Sequence, residues 1–405
     1  MSSSTPITIA FLLGSGVSFP AGMASTQDIT ERVLSGEGVV RHTNENYYFG
    51  QPLYSHEGMP DQYVPRVLIF LRRLKIEIDL YYFHQIHRYT DYEDLHYLSS
   101  QIYDSETGEY DNPAVQPLID KILSDIRPIL VDKENEISRE WQLHELAREA
   151  THYIRDVVWH LLSQEPSLDD HLGCIRDAIL DDRLSKVDIF TLNQDTILEQ
   201  FLSQTRVQVN DGFTEPVRNV RYWDPELFEK KPSKIRLFKL HGSVNWVRFR
   251  TASEDIIDES IGIPLDRDIW HTRNPQGQRQ LPADGRPEIL VGTFDKMLRY
   301  TSSIFADLHW QFNRSLRNTP ILIVSGYGFR DKGINSQIVE WVYSSPDRKI
   351  ILVEPKPERL KKGARGAMTN NWDELIRQNK LVIVQKGVEE TSWQEIEGMF
   401  FDRKR

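Results

Sequence analysis

Short, continuously apolar runs recur along the chain, and segments with helical spacing of apolar residues separate them. Seven of these runs have the length and composition of buried strands: Thr8–Leu13, Val187–Leu192, Leu237–Leu240, Ile289–Val291, Ile321–Ser325, Lys349–Val353 and Leu381–Gln385. Continuous apolar strands are typical of a parallel sheet that is covered on both faces. Helical patterns between them, such as 195–203 and 304–316, complete an alternation of strands and helices. The pattern therefore predicts an α/β fold with a doubly wound, Rossmann-like, mainly parallel sheet.

The strand pattern stops after the first strand and resumes only near residue 187. Within this interval, residues 67–86 and 146–162 carry apolar side chains at helical spacing. We therefore predict a helical insertion domain at 41–180. Residues 1–40 and 181–405 would together form the Rossmann-like domain.

Three further segments carry local signals. Ser25 to Asp28 has the form of a helix-capping box, which predicts that the first helix begins there. The interval Arg250–Arg286 is rich in proline and glycine and has little periodicity, so it predicts a long loop. Residues 391–405 predict a short amphipathic helix.

Polar or glycine-rich turns follow three of the predicted strands: Gly14-Ser15-Gly16, Asn193-Gln194-Asp195 and His241-Gly242. Glycines after a strand allow backbone N–H groups to approach a phosphate without interference from a Cβ atom. Imidazole titrates near neutral pH, so His241 is a candidate base. Taken alone, such a histidine would more often be a core residue that a backbone carbonyl satisfies.

Together these segments resemble the sirtuin superfamily, whose signatures are Gly-Ala-Gly-x-Ser, a Gln-Asn-x-Asp strand end and a His-Gly strand end. In this chain they read Gly14-Ser-Gly16-Val-Ser18, Leu192-Asn193-Gln-Asp195 and His241-Gly242. A fourth segment, which runs from Gly326-Tyr-Gly328 to Asn335, is similar to the prokaryotic sirtuin-like branch. The resemblance implies a Rossmann-like domain that binds NAD and breaks the bond between nicotinamide and ribose.

The resemblance also implies a role for each matching residue. Asn193 would orient the ribose or the attacking water, and His241 would act as the base, so these two are the predicted catalytic residues. Asp195 would approach the nicotinamide carboxamide. The other predicted NAD-binding residues are Gly14, Ser15, Gly16, Ser18, Gly22, Gly326 and, on the adenosine ribose, Glu354.

Simpler structural roles remain open for several of these residues. Asn193 could be an ordinary turn residue, Asp195 could cap the following helix, and Glu354 could face solvent. A substitution at Gly16 distinguishes a phosphate-binding role of the first motif from a purely structural one. If Gly16 makes room for the pyrophosphate, a valine there should abolish NAD binding and leave the fold intact.

The single cysteine, Cys174, restricts both the activity and the compartment. Protein-deacetylating sirtuins hold a structural zinc with four cysteines in two Cys-x-x-Cys pairs, so we expect no zinc here. We also expect no other metal site, because the sequence shows no preorganised set of metal ligands. One cysteine forms no internal disulfide and suits a reducing cytoplasm. The net charge of −11 disfavours strong direct binding of nucleic acid. The longest apolar run is too short to cross a membrane.

We therefore expect an NAD glycohydrolase, with NAD as its substrate and nicotinamide and ADP-ribose as its products. In the prokaryotic branch, this activity depletes NAD in antiphage defence of the abortive-infection type. Members of the branch commonly act with a second protein, such as a HerA-type hexameric ATPase. The resemblance thus implies a cytoplasmic homo-oligomer that a partner or its own assembly regulates. Two alternatives are open: an NAD-binding assembly or regulatory subunit of a nuclease or ATPase complex, and an NAD-dependent protein deacylase.

Overall fold

The structure is a computed structural model of the 405-residue chain. It describes residues 7–50, 63–85, 88–109, 112–131, 141–167, 170–251, 259–292 and 295–400. The chain divides into two compact units. The first comprises Met1–Met23, Glu165–Ile289 and Met297–Arg405, and the second comprises Ala24–Gln164 and Leu290–Lys296. These boundaries differ from the predicted ones, which lay after residues 40 and 180.

The strands of the described residues, in chain order, are β1 (Ile7–Leu13), β2 (Val39–Arg41), β3 (Tyr47–Phe49), β4 (Leu184–Thr191), β5 (Val209–Asn210), β6 (Val220–Tyr222), β7 (Ile235–Lys239), β8 (Gly242–Thr251), β9 (Glu259–Pro264), β10 (Gln280–Ile289), β11 (Ile321–Ser325), β12 (Lys349–Val353) and β13 (Leu381–Val384). The α-helices are α1 (Thr26–Ser35), α2 (Tyr63–Gln85), α3 (Tyr92–Thr107), α4 (Gln116–Leu130), α5 (Leu143–Leu162), α6 (Gly173–Leu180), α7 (Ile197–Gln204), α8 (Leu227–Lys230), α9 (Asp295–Arg299), α10 (Ser303–Arg317), α11 (Lys332–Tyr343), α12 (Pro357–Gly363), α13 (Ala367–Arg377) and α14 (Trp393–Glu397).

A seven-stranded sheet organises the first unit. Its order is β13-β12-β11-β1-β4-β7-β5, and every neighbouring pair is parallel. Strands β1, β11 and β12 consist mostly of buried apolar residues, as expected for strands covered on both faces. The chain first adds strands on one side of β1 and then returns to its other side at β11. The predicted doubly wound, mainly parallel α/β fold is confirmed, and its topological switch point lies between β1 and β11.

A second, antiparallel sheet occupies much of the interval 250–286, which the sequence had predicted to be a long loop. Its order is β10-β8-β9-β6. The sequence did not predict β10 because this strand contains prolines. This strand lies at the edge of the sheet, where a missing N–H is tolerated, and its register shifts between Pro282 and Pro287. The strand predicted at 289–291 is likewise wrong, because Ile289 ends β10 and takes no part in the parallel sheet.

The second unit contains the large helical insertion that the sequence predicted after the first strand. Its helices α2 to α5 pack on one another, and β2 pairs with β3 as a small antiparallel ribbon. Helix α1 also belongs to this unit because it packs on α5, where Tyr153 donates a hydrogen bond to the Val33 carbonyl at 2.9 Å. Ser25 and Asp28 form the predicted capping box at its start. No helix within the described ranges has both the length and the apolar composition that crossing a bilayer requires.

The residues just before β4 and those near the end of the chain both contribute to the core of the first unit. Helix α6 lies within the predicted insertion, yet its buried Ile175 and Ile179 share a core with Ile189 of β4. Trp393 and Ile396 of α14 join the same core. The helix predicted at 391–405 is thus observed as a shorter one, and residues 401–405 lie outside the described part of the chain.

Candidate active site

The turns that follow β1, β4 and β7 lie at one edge of the parallel sheet and are joined by backbone hydrogen bonds. The Val244 amide donates to the Gln194 carbonyl at 2.9 Å, which holds the turn after β7 against the turn after β4. The Gly14 amide donates to the Ser325 carbonyl at 3.0 Å, which joins the turn after β1 to the end of β11. The carboxyl ends of strands at a topological switch point are where open α/β sheets bind ligands. The sequence motifs therefore meet at the edge where a site is expected.

Ser18, Asn193 and Asp195 form a buried hydrogen-bond network at this edge. The side-chain amide of Asn193 donates to the Gly14 carbonyl at 3.0 Å and to Ser18 Oγ at 2.8 Å. Ser18 Oγ in turn donates to Asp195 Oδ2 at 2.9 Å. Asp195 Oδ1 accepts the amide of Ile197, the first residue of α7, at 3.1 Å. Both side-chain N–H groups of Asn193 are used, so its Oδ1 atom is the one that remains to accept from a hydroxyl or a water.

Three glycines allow the turns after β1 and β11 to approach each other closely. A Cβ atom on Gly14 would lie 2.5 Å from the carbonyl oxygen of Gly326, and one on Gly16 would lie 2.6 Å from its Cα. Gly326 itself has a φ of +64°, and its Cβ would lie 2.5 Å from the Val17 nitrogen. Close backbone contact therefore accounts for glycine at all three positions.

This packing changes the role that we expected for the first motif. The Gly14 amide is bonded to Ser325, and the Gly16 amide donates to the Gly326 carbonyl at 3.0 Å, so neither N–H group is available to a phosphate. A valine at position 16 would collide with the backbone at Gly326. The expectation that this substitution leaves the fold intact is therefore wrong.

Ser15, Gly22 and Glu354 occupy less constrained positions. Ser15 is exposed in the turn after β1. Gly22 has a φ of +83°, and no atom lies within 4 Å of the place where a Cβ would stand. Glu354 follows β12 and is half-buried, and its Oε1 atom accepts the Lys356 amide at 2.8 Å. The backbone at Gly22 thus borders space that a ligand could fill, whereas Glu354 uses one carboxylate oxygen within its own turn.

His241 is buried in a cluster with Tyr300 and Asp331. Its Nε2 atom lies 3.0 Å from Tyr300 Oη and 3.2 Å from Asp331 Oδ2, and the tyrosine hydroxyl also donates to Asp331 Oδ2. Asp331 Oδ1 accepts the Ile334 amide at 3.1 Å, which caps α11 and fixes the carboxylate. An ionised carboxylate only accepts, so it is satisfied when the Nε2 atom of His241 carries a proton. A carboxylate placed in this way orients the imidazole ring and stabilises its protonated form.

His309 is a second buried histidine beside this cluster. Its ring stacks on Tyr300, with ring centroids 3.7 Å apart. Burial lowers the pKa of His309 to about 3, and His241 adds to this shift, whereas Asp331 and the backbone of Leu240 oppose it. His309 is therefore neutral at physiological pH.

The low pKa of His309 predicts that the protein loses stability when it is acidified. The unfolded chain protonates this histidine near pH 6.5 and the folded chain only near pH 3, so the unfolded state binds more protons between these values. The free energy of unfolding should fall by up to about 1.4 kcal/mol per pH unit through this window. Denaturant unfolding of the wild type and His309→Gln at neutral and mildly acidic pH measures the effect. The variant should lose less stability on acidification, and an identical pH dependence would contradict the prediction.

The described residues contain no group of three or more His, Cys, Asp or Glu side chains arranged to hold a metal ion. The sole cysteine, Cys174, is buried in the core of the first unit. Burial raises the pKa of its thiol to about 12, so Cys174 is not a reactive thiolate.

Sequence reasoning missed Tyr300 and His309 and gave no role to Asp331. A signal for Asp331 did exist, because it follows a strand of the parallel sheet and directly precedes a helical pattern. A helix cap at this position places a carboxylate at the same edge as His241. Tyr300 has no comparable signal, since it lies in the short connection between α9 and α10.

The chain is similar to a family model over part of its length and to solved structures over most of it. Residues 187–375, slightly less than half of the chain, match the family model of the SIR2-like domain. Among solved structures, the chain is similar to a Sir2 homologue in complex with NAD, at 11% identity and a TM-score of 0.37, covering 97% of this chain and 89% of that one. It is also similar to Sir2 with the inhibitor EX-527, 2′-O-acetyl-ADP-ribose and a deacetylated p53 peptide, at 9% identity and a TM-score of 0.35, covering 97% and 93%. No curated protein matches the chain significantly.

The matched region begins in β4 and ends in α13. It contains Asn193, His241 and Asp331, but it does not include the Gly14 turn. The order and direction of the strands define the fold independently of this match. Residues 187–375, which carry both predicted catalytic residues, are thus similar to a SIR2-like domain.

Proposed function

We propose that this chain is an NAD glycohydrolase that cleaves NAD to nicotinamide and ADP-ribose. The observation that carries the proposal is the contact of His241 with Asp331 at the end of β7, because this arrangement orients a base. The turn that contains Asn193 is bonded to the turn after His241, so an acceptor for water or ribose lies on the neighbouring strand end. The similarity of residues 187–375 to a SIR2-like domain supports NAD as the substrate.

Two features beside the turn after β1 leave room and a hydrogen-bond acceptor for a ligand. The backbone at Gly22 borders open space, and Asn193 Oδ1 remains to accept a hydrogen bond. Nicotinamide leaves as a neutral ring, so its departure needs no general acid. His241 would take a proton from the attacking water or a ribose hydroxyl, and Asp331 would stabilise the imidazolium that forms. Ser18, which bonds to Asn193, would position the side chain that holds the water.

Two observations weigh against the alternative functions. A subunit that only binds NAD needs no oriented base, whereas the ring of His241 is held by both Asp331 and Tyr300. A deacylase of the zinc-bearing type needs four cysteines, and this chain has one. We therefore favour hydrolysis, with deacylation as the second candidate.

The products distinguish hydrolysis from deacylation. Purified protein incubated with NAD alone should release nicotinamide and ADP-ribose, which chromatography separates and quantifies. Activity that appears only with an acyl-lysine peptide, and that yields O-acyl-ADP-ribose, would favour the deacylase instead. Tight NAD binding without any product would favour a binding subunit.

The wider role that we propose is NAD depletion in antiphage defence, in the cytoplasm and under the control of a second protein. The sequence resemblance to the prokaryotic sirtuin-like branch supports this role and makes a HerA-type hexameric ATPase, or another defence protein, the proposed partner. Measuring NAD consumption with and without the protein encoded beside this chain tests the partnership. A rate that does not depend on that protein would contradict it.

Apolar side chains on the outer face of α2 support the proposal that the chain forms a homo-oligomer. Ile69, Ile76, Leu80 and Phe83 are exposed, and their spacing of seven, four and three residues places them on one stripe of the helix. The same stripe on a second copy can pack against it in a symmetric interface. An exposed apolar stripe of this kind marks an interaction site more often than isolated apolar residues do.

Charges on this stripe should dissociate the oligomer. Light scattering at micromolar concentration should show an oligomer for the wild type and a shift toward monomer for the double variant Ile76→Glu, Leu80→Glu. The matched control is Leu180→Glu, since Leu180 is equally exposed but lies on α6. A strictly monomeric wild type with full, concentration-independent activity would refute the proposal.

A further inference from the structure

A cavity in the first unit, apart from the His241 cluster, has the dimensions and lining of a small-ligand site. Its volume is about 290 Å³, and residues of α7, β7 and β8 contribute to its walls. This volume lies near the lower end of the range for ligand pockets, about 300 Å³. Phe213 and Trp246 supply aromatic surface, and Leu202 and Leu237 supply aliphatic surface. The cavity therefore suits a single flat ring system.

Two oxygen atoms among the lining residues have no hydrogen-bond partner. They are Glu199 Oε2 and Asn245 Oδ1, and both atoms are buried. Burial raises the pKa of Glu199 and the contact with Lys239 lowers it, and in the ionised form both oxygens of Glu199 are acceptors. Buried polar atoms in native structures are nearly always hydrogen-bonded, to protein, water or ligand. A ligand that donates two hydrogen bonds would complete this site.

Each cationic side chain that lines the cavity is already hydrogen-bonded to a carboxyl group. Lys239 donates to Glu199 Oε1 at 2.7 Å. Arg221 binds both carboxylate oxygens of Asp211, at 2.7 and 2.9 Å. Since the two cations are each paired with an anion, a phosphate would find no unpaired cation among the lining residues. The pairing favours a neutral ligand.

We propose that this cavity binds a neutral heterocycle that carries an amino group, with guanine as the best match. Guanine presents an amino group next to a ring N–H on one edge, so it offers one donor to Glu199 Oε2 and one to Asn245 Oδ1. Its flat ring matches the aromatic surface of Phe213 and Trp246. The cavity admits one base and is too small for a whole dinucleotide.

Lys239 connects this cavity to the hydrogen-bond network at the switch point. Its ammonium group contacts Glu199 and also donates to the carbonyl oxygen of Asp195, whose side chain binds Ser18. A ligand that donates a hydrogen bond to Glu199 changes the contact between Glu199 and Lys239. Lys239 also donates to the Asp195 carbonyl, so this change reaches the switch point. Binding at the cavity should therefore alter the affinity for NAD, a step that rests on the proposed function.

Calorimetric titration of the full chain with guanosine, in the absence of NAD, tests the cavity directly. Guanosine should bind saturably at millimolar or lower concentrations. Inosine, which keeps the purine ring but lacks the amino group, should bind about tenfold more weakly. Asn245→Leu should weaken guanosine binding by a similar factor, because it removes one acceptor.

Two tryptophan substitutions at the end of α7 provide a matched control. Ser203 lines the cavity and is exposed, so Ser203→Trp should block the entrance and abolish guanosine binding. Gln204 is also exposed but does not line the cavity, so Gln204→Trp should leave binding unchanged. Equal behaviour of the two variants, equal binding of guanosine and inosine, or no saturable binding of guanosine to the wild type would overturn the proposal.

Titration of NAD with and without saturating guanosine tests the connection to the switch point. The NAD affinity should change by about fivefold or more, in the range of typical coupling between sites. An unchanged affinity with guanosine bound would overturn the connection. Guanosine binding by a protein that does not hydrolyse NAD would contradict the proposed function and would leave the cavity assignment supported.

Discussion

Replacement of His241 by alanine should lower NAD turnover by roughly two to four orders of magnitude, because a positioned proton acceptor contributes about that much to a rate. NAD binding should weaken far less, since the base acts on a proton that moves in the transition state. Steady-state turnover, together with a separate titration of NAD binding, measures both quantities. Wild-type turnover in His241→Ala would refute the assignment of the base.

Asp331→Asn is the matched test of how His241 is held. Asparagine keeps an acceptor for the Ile334 amide, so the cap of α11 is retained, but it removes the negative charge beside the imidazole. Turnover should fall, and the acidic limb of its pH profile should move to lower pH because the imidazolium loses its partner. A lower rate with an unchanged pH profile would indicate that Asp331 is only a structural cap.

Removal of the carboxylate of Asp188 should lower the free energy of unfolding by about 3–5 kcal/mol, because it leaves a buried charge without a partner. Asp188 on β4 lies opposite Arg236 on β7, and Arg236 donates to both of its oxygens at 2.7 Å. The two side chains are only 1% and 7% exposed, and Ser315 also donates to the carboxylate. Denaturant unfolding of Asp188→Ala measures the loss.

An exposed ion pair in the same unit supplies the control for this measurement. Asp170 pairs with Arg176, but their side chains are 66% and 37% exposed. Exposed pairs of this kind contribute about 0–1 kcal/mol, so Asp170→Ala should have little effect on unfolding. Similar losses for Asp188→Ala and Asp170→Ala would contradict the importance of burial.

The parallel sheet could be predicted from the sequence because several of its strands have a recognisable local pattern of apolar residues. Strands such as β1, β11 and β12 are buried on both faces, so they are continuous aliphatic runs that differ from amphipathic helices. The turns after these strands carry polar residues, and parallel strands bring their carboxyl ends to one edge. These two facts place Ser18, Asn193 and Asp195 at one edge of the sheet, but the hydrogen bonds among them were not predicted.

Three features were not predicted because they depend on contacts between segments that are far apart in the sequence. The antiparallel sheet was hidden because Pro282 and Pro287 are tolerated only through the edge position of β10, which is a tertiary property. The place of α1 in the helical unit depends on its packing against α5, not on its cap. The contact of Gly16 with Gly326 joins segments that no local pattern relates.

The central position of β1 ties completion of the site to a segment that is synthesised much later than β1 itself. Ile9 pairs with Ile321, so one neighbour of β1 is supplied by a segment far along the chain. Pairings between such distant segments close large loops and form late in folding. A nascent chain in which residues 325 and 326 have not yet been synthesised therefore lacks the carbonyl groups that hold the turn after β1. The candidate site is thus incomplete until translation has passed this point.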